Sequence, residues 1–294
     1  MIVRLRTASG EVRTGVTDQR GRVHHLALSL ADLLGQPSAA LRQTVEAAAG
    51  QAGADPGGPL LAPIDGASEV WAAGVTYKRS EEARVEESST PDIYTKVYRA
   101  ERPELFFKAT PRRVAGPDQP IVVRSDSTWD VPEPELALVI NAHAEIVGYT
   151  IANDVSSRSI EGENPLYLPQ AKVYDGCCAL GPGIVPSWEL PDPYGLGIRM
   201  RIQRAGSVHW RGETSMREFA RRLDDLVSVL FREDTFPHGV ILCTGTALVP
   251  DSPFTLEAGD SVEIEIDGLG TLRNPVVRGK VNRQAVASVG VTAR

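Results

Sequence analysis

The sequence predicts an α+β chain that is mostly β. Short apolar runs bounded by Gly, Pro, Asn and Asp recur along it, while helical periodicity is confined to a few stretches. A segment rich in Gly, Pro and Ala at residues 52–68 reads as a linker between a small N-terminal unit and a larger one. At 294 residues, 42% of them hydrophobic and 23% charged, the chain can bury a sizeable core in one or two domains. The net charge of −7 argues against a nucleic-acid partner, which needs a basic face. No apolar run approaches the ~20 residues of a membrane span. The N-terminus shows no signal-peptide core. Three cysteines without a C-x-x-C spacing form no disulfide framework, so a cytoplasmic location is expected. Adjacent Cys177 and Cys178 read as small core residues.

Residues 2–28 read as three short strands with turns at Gly10 and Gly21. Residues 29–34 and 38–49 read as helices, separated by Gly35 and Pro37 and closed by Gly50. His24 and His25 are neighbours on a strand, with no further ligand candidate close by. The larger unit opens with the strand V-W-A-A-G, ending at Gly74. The next twenty residues are dense in charge and poor in core residues. They read either as a solvated helix with ion pairs or, as favoured here, as a mobile segment closing over a polar substrate. R-P-E-L-F-F-K-A-T follows as a strand. Glu104 stands near its start, with Arg102 and Lys108 as possible surface partners.

Residues 130–172 organise the rest. Pro132 and Pro134 suit a strand entrance and argue against a helix. Residues 136–140 and 145–152 are apolar runs of strand length, with a turn near residues 141–144. Glu133 and Glu135, two apart, share one face of an extended chain. If the two runs form a hairpin, Asp154 returns beside both glutamates. Three carboxylates would then meet with no Arg or Lys between them in sequence. Such a cluster repels itself unless a hard divalent cation joins it, and oxygen-only ligation suits Mg²⁺, Mn²⁺ or Ca²⁺. An E-x-E alone also reads as a solvated strand end; a second one, Glu263 and Glu265, has no Asp and Lys after it. Residues 156–170 read as an irregular loop delivering Lys172. Two strands are expected over residues 197–210. Ser215 and Glu218 form a capping box for a helix whose stripe, from Met216 to Leu230, is core packing. A buried strand then ends at T-G-T (residues 244–246), and two more strands close the chain.

Together E-x-E, N-D-V-S-S-R (residues 153–158), K-V-Y-D-G (172–176), G-P and T-G-T resemble the fumarylacetoacetate hydrolase superfamily, from about residue 70 to the C-terminus. The resemblance implies a mixed-sheet β roll or sandwich over residues 65–294, with a small N-terminal α/β domain over residues 1–64. It implies one Mg²⁺ (or Mn²⁺ or Ca²⁺) per subunit, held by Glu133, Glu135 and Asp154. It makes Lys172 the active-site lysine and has Gly245 and Thr246 hold a substrate carboxylate. Arg158 is a carboxylate clamp or a structural partner of Asp154 or Asp175. Homodimers or homotetramers are the usual assemblies.

Hydrolases of the superfamily place a His–Glu pair just after the first strand of this unit to activate water. Here no histidine lies between Gly74 and Glu104; the segment reads T-Y-K-R-S-E-E-A-R-V-E-E-S. That form is similar to the dehydratase branch acting on 2-keto-3-deoxy-pentonates. The branch assigns proton transfer to Lys172 and Glu104, and Tyr77, Arg79, Arg84 and Glu87 become substrate contacts. The expected reaction is dehydration of a 2-keto-3-deoxy sugar acid to 2,5-dioxopentanoate through an enolate. The alternative is hydrolysis of a C–C bond in an acylpyruvate or 2,4-diketo acid, with Glu81 or Glu82 as base. A non-catalytic, metal-stabilised binding module would not need Lys172 or T-G-T. The resemblance thus implies a small 2-keto acid as substrate, and neither nucleic acid nor membrane is expected as a partner.

Overall fold

The computed structural model describes residues 1–18, 20–50, 57–78 and 96–280. Among these the strands form an eleven-stranded sheet, a five-stranded sheet and a two-stranded ribbon. In the large sheet Cys178–Pro186, Ile146–Asp154, Pro134–Ile140 and Val240–Cys243 run antiparallel in that order. Glu69–Gly74 joins in parallel and Glu104–Ala109 closes the edge antiparallel. The small sheet contains Ser207–Ser215, Gly197–Arg204, Ser261–Ile266, Gly270–Arg278 and Ile121–Val123.

The two sheets face each other. Leu136, Leu138 and Ile140 of the large sheet share a core with Ile198, Met200, Ile202, Val262, Ile264 and Leu272 of the small one. Pro134–Ile140 is buried on both sides, hence its unbroken apolar run. The alternate residues Ala137 and Val139 turn to the opposite side. There Ala137 joins Ala72, Ala152, Cys178 and Cys243, a floor of small side chains. All three cysteines are free and buried.

The N-terminal strands extend the large sheet through Ile2↔Ile184. Ser29 caps the helix Leu30–Leu34 by accepting from the Asp32 N–H. That helix and Ser38–Ala49 pack Leu33, Leu34, Leu41 and Val45 against Val139, Val147 and Ile184.

The structure departs from the sequence expectations in three places. The stretch expected as a linker contains the strand Leu60–Leu61, which pairs with Arg4 and Leu5; Arg6 N–H also donates to Pro59 O at 3.0 Å. Residues 52–56 of that stretch lie outside the described residues. The expected irregular loop at residues 156–170 holds two short helices, Arg158–Glu163 and Leu168–Lys172. Ser157 caps the first; Pro165 opens the 3₁₀ turn Pro165–Tyr167 between them, and Pro169 stands in the first turn of the second, where a missing N–H costs nothing. The expected helix from Ser215 is broken in two. Ser215 caps only the 3₁₀ turn Met216–Glu218, and the helix begins at Leu223. Between them Phe219 bridges to Tyr77, and Ala220 N–H donates to Thr76 O at 2.9 Å, so tertiary pairing overrides the local helical pattern.

Candidate active site

The hairpin of Pro134–Ile140 with Ile146–Asp154 pairs Pro134 with Asn153 and Glu135 with Ala152. Asp154 N–H donates to Glu133 O at 3.0 Å, and Glu133 N–H donates to Asn153 Oδ1 at 3.2 Å. Twenty residues of sequence are thereby folded back, and one carboxylate oxygen each from Glu133, Glu135 and Asp154 lies within 4.8 Å of the others. All three residues are buried.

The three carboxylates differ in what compensates them. Glu133 meets Arg158 Nη2 at 3.2 Å and Lys172 Nζ at 2.9 Å. Asp154 meets Lys172 Nζ at 3.2 Å through Oδ2 and ion-pairs with Lys108 through Oδ1. Glu135 ion-pairs with no Lys or Arg among the described residues; its Oε2 accepts the Gly245 N–H at 2.7 Å. Burial, then the charges of Asp154 and Glu133, push the Glu135 carboxyl well above the usual carboxylate range, against the pull of Lys172 and the Gly245 N–H. An all-oxygen set with one uncompensated buried carboxylate fits a hard divalent cation, which would relieve that repulsion.

Lys172 ends the helix Leu168–Lys172 and is 2% exposed. Its Nζ also donates to Ser156 Oγ at 2.6 Å and lies 5.7 Å from the Phe106 ring centroid. The amine is thus held between two of the carboxylates, a hydroxyl and an aromatic face.

Gly245 reaches Glu135 because its backbone is left-handed, with φ +90°. A Cβ there would run into Thr76 Oγ1 and come within 2.9 Å of Ala73 O. We expect Gly245→Ala to destabilise the protein by about 2 kcal/mol and to weaken divalent-metal binding, because the strained loop withdraws its N–H from Glu135. Urea unfolding and metal titration by calorimetry measure the two effects.

Other sequence candidates are placed differently. The Thr246 hydroxyl is engaged within its own loop, accepting from Leu248 N–H at 3.0 Å. Arg158 faces Glu133 and Glu161 rather than Asp154 or Asp175, since it opens the helix that also carries Glu161. Tyr77, expected to touch substrate, is a fully buried core residue; its hydroxyl reaches the Met216 sulfur at 2.9 Å and its ring packs edge-on against Phe219. Glu104 pairs in register with Gly74, and its carboxylate covers the space where a Gly74 side chain would stand. Lys108, a suggested partner of Glu104, turns to Asp154 instead. Arg79, Arg84 and Glu87, with Glu81 and Glu82, lie outside the described residues.

Sequence reasoning missed Lys108 and Ser156 as parts of the site. The signal for Lys108 was strand alternation, which sets it on the same side as Phe106 and Glu104. Ser156, two residues past Asp154, carried none.

The fumarylacetoacetate (FAA) hydrolase C-terminal family model matches residues 69–277. The chain is 57% identical over 214 residues to a probable 2-keto-3-deoxyxylonate dehydratase of Haloferax volcanii, covering 73% of each protein. It is 48% identical over 221 residues to a 2-dehydro-3-deoxy-D-arabinonate dehydratase of Saccharolobus solfataricus, covering 74% of each. Among solved structures, 2-keto-3-deoxy-D-arabinonate dehydratase complexed with magnesium and 2,5-dioxopentanoate superposes with a TM-score of 0.79 at 36% identity, over 95% of this chain and 99% of that one. With the family model matching most of the chain and a relative 57% identical over 73% of it, the chain belongs to the fumarylacetoacetate hydrolase family.

Proposed function

We propose that this protein is a hydro-lyase that dehydrates a 2-keto-3-deoxy-pentonate to 2,5-dioxopentanoate, with Mg²⁺ held by Glu133, Glu135 and Asp154. The observation that carries the reading is the buried Lys172 amine, 2.9 and 3.2 Å from two of these carboxylates. The dehydratases among its relatives and the magnesium- and product-bound neighbour supply the substrate class. A bound divalent ion polarises the 2-keto group and acidifies the C3 protons.

The chain's own groups do the rest. Lys172, roofed by Phe106, takes a C3 proton. The C4 hydroxyl leaves as water with a proton from an acid, for which Glu104 is the candidate on the same face of the sheet. This leaves a C3–C4 double bond conjugated to the ketone; loss of a C5 proton with return of one to C3 gives the C4–C5 enol, and moving the enol proton to C4 gives the aldehyde, so the overall loss is one water. Gly245 and Thr246 close one side of the site and, with Arg158, are candidates for orienting the substrate carboxylate. Arg79, Arg84 and Glu87 are candidates for its hydroxyls. Tyr77 would act by supporting the loop around Met216.

The small N-terminal unit (residues 1–64) and the catalytic unit (residues 65–294) belong to the same reading, as do a cytoplasmic location and a homodimer or homotetramer. The start of the family match at residue 69 and three free buried thiols support the first two. No helix among the described residues is long and apolar enough to cross a membrane.

The test is direct. Mg²⁺-loaded protein is incubated with 2-keto-3-deoxy-D-arabinonate, its L isomer and an acylpyruvate, and aldehyde formation is followed against pyruvate release. Aldehyde from a sugar acid is the expected result. Pyruvate from the acylpyruvate, with no aldehyde from either sugar acid, would replace dehydration by C–C hydrolysis.

A further inference from the structure

Lys108 is the penultimate residue of the edge strand Glu104–Ala109 and has no solvent exposure. Stripping an ammonium of water costs several kcal/mol unless each N–H finds an acceptor. Here the ammonium has two carbonyl acceptors and one carboxylate as an ion-pair partner. Nζ ion-pairs with Asp154 Oδ1, donates to Val155 O at 3.0 Å and donates to Lys172 O at 2.6 Å. The Tyr174 ring covers the amine at 6.0 Å, and the Tyr174 hydroxyl donates to the same Val155 carbonyl at 3.2 Å. Burial alone would lower the pKa of this lysine, but Asp154 and the nearby thiols and phenol hold it above the ordinary value.

These acceptors belong to separate parts of the site. Asp154 ends the strand Ile146–Asp154 and Val155 follows it, whereas the Lys172 carbonyl lies at the C-terminal end of a helix, where a cation complements unpaired carbonyls. Glu104–Ala109 pairs with neither segment. One ammonium therefore ties the metal-ligating carboxylate to the backbone that carries the amine. It takes Asp154 Oδ1, whereas Oδ2 faces Lys172.

We propose that Lys108 is a positioning residue: a dry triple clamp that orients Asp154 for the metal and sets the Asp154–Lys172 separation. The proposal rests on the metal-dependent reading of the site. With no exposed atom, Lys108 touches no substrate, and its effect passes through Asp154 and Lys172.

The experiment compares wild type with Lys108→Met and Lys108→Arg. Mg²⁺ affinity is measured by calorimetry on substrate-free protein, and kcat and KM at saturating Mg²⁺. Lys108→Met should weaken Mg²⁺ binding by about 10- to 100-fold, the usual effect of losing a group that orients a ligand. It should lower kcat and leave KM for the keto acid within about twofold, since ground-state contacts to substrate are untouched. If Lys108→Met does not fold, Lys108→Arg carries the test: its planar guanidinium cannot reproduce a point charge held by two carbonyls and a carboxylate, so the same pattern is expected at smaller amplitude. A folded variant with wild-type Mg²⁺ affinity and kcat would overturn the proposal. The calorimetry separates this outcome from failure of the dehydratase reading, because it needs no turnover. Should wild type bind no Mg²⁺, the urea midpoints of Lys108→Met, Asp154→Asn and the double variant decide. Losses shared between the two sites support the clamp, and strictly additive losses reject it.

Discussion

Glu135→Gln is expected to lose dehydration by a factor on the order of 10³ in kcat/KM, while the metal-free protein becomes more stable. The two effects share one cause. Glu135 is 1% exposed and lies beside two other carboxylates, with a single backbone N–H in contact and no cation paired to it among the described residues. Its ionised form therefore costs free energy in the metal-free protein. Glutamine keeps the shape and still accepts from Gly245, and its NH₂ group can donate to Glu133 or Asp154. That removes the repulsion and also removes the charge a divalent cation would meet. In wild type, Mg²⁺ at 100-fold over its dissociation constant should add about 2.7 kcal/mol of stability. In the variant that gain should vanish. The check is a pair of melting curves with and without Mg²⁺, run beside the activity assay. A Glu135→Gln protein that keeps its Mg²⁺-induced shift would remove this residue from the ligand set.

The features that carry this prediction were legible to different degrees in the sequence. The hairpin was legible because two apolar runs of strand length flank a turn, and because Pro134–Ile140, buried on both faces, leaves no ambiguous alternation. That placed Asp154 beside the E-x-E pair. The convergence of Lys172 came from the family resemblance, since spacing alone says nothing about an 18-residue return through two short helices. Lys108 was legible only as to its side of the strand, by alternation with Glu104 and Phe106; nothing local marks a basic residue after two phenylalanines as buried. Its burial depends on Asp154 and two carbonyls arriving from elsewhere in the chain. The broken helix after Ser215 failed for the same reason. Its apolar stripe is real, and Leu223, Leu226, Val227 and Leu230 are buried as expected. The pairing of Phe219 with Tyr77 across 142 residues is a non-local term that no local pattern contains.

Lys172→Met should abolish turnover as well, with every other sign reversed. Methionine approximates the aliphatic stem but removes the amine, so loss of proton transfer costs a factor on the order of 10²–10⁴ in kcat. The metal-free protein should be less stable than wild type by about 3 kcal/mol, because Glu133 and Asp154 each lose a buried cationic partner. The loss stays near the low end of the range for broken buried pairs, since Arg158 still faces Glu133 and Lys108 still faces Asp154. Mg²⁺ affinity should hold or rise, because the ammonium that competes for Glu133 and Asp154 is gone. Added Mg²⁺ should therefore restore more stability to Lys172→Met than it adds to wild type, whereas it restores none to Glu135→Gln. Denaturation and metal titration on the two variants side by side resolve base from ligand without reference to rate. A Lys172→Met protein that binds Mg²⁺ as wild type does, and that still turns over at a wild-type rate, would remove the amine from the chemistry and leave the carboxylates as the site's only reactive groups.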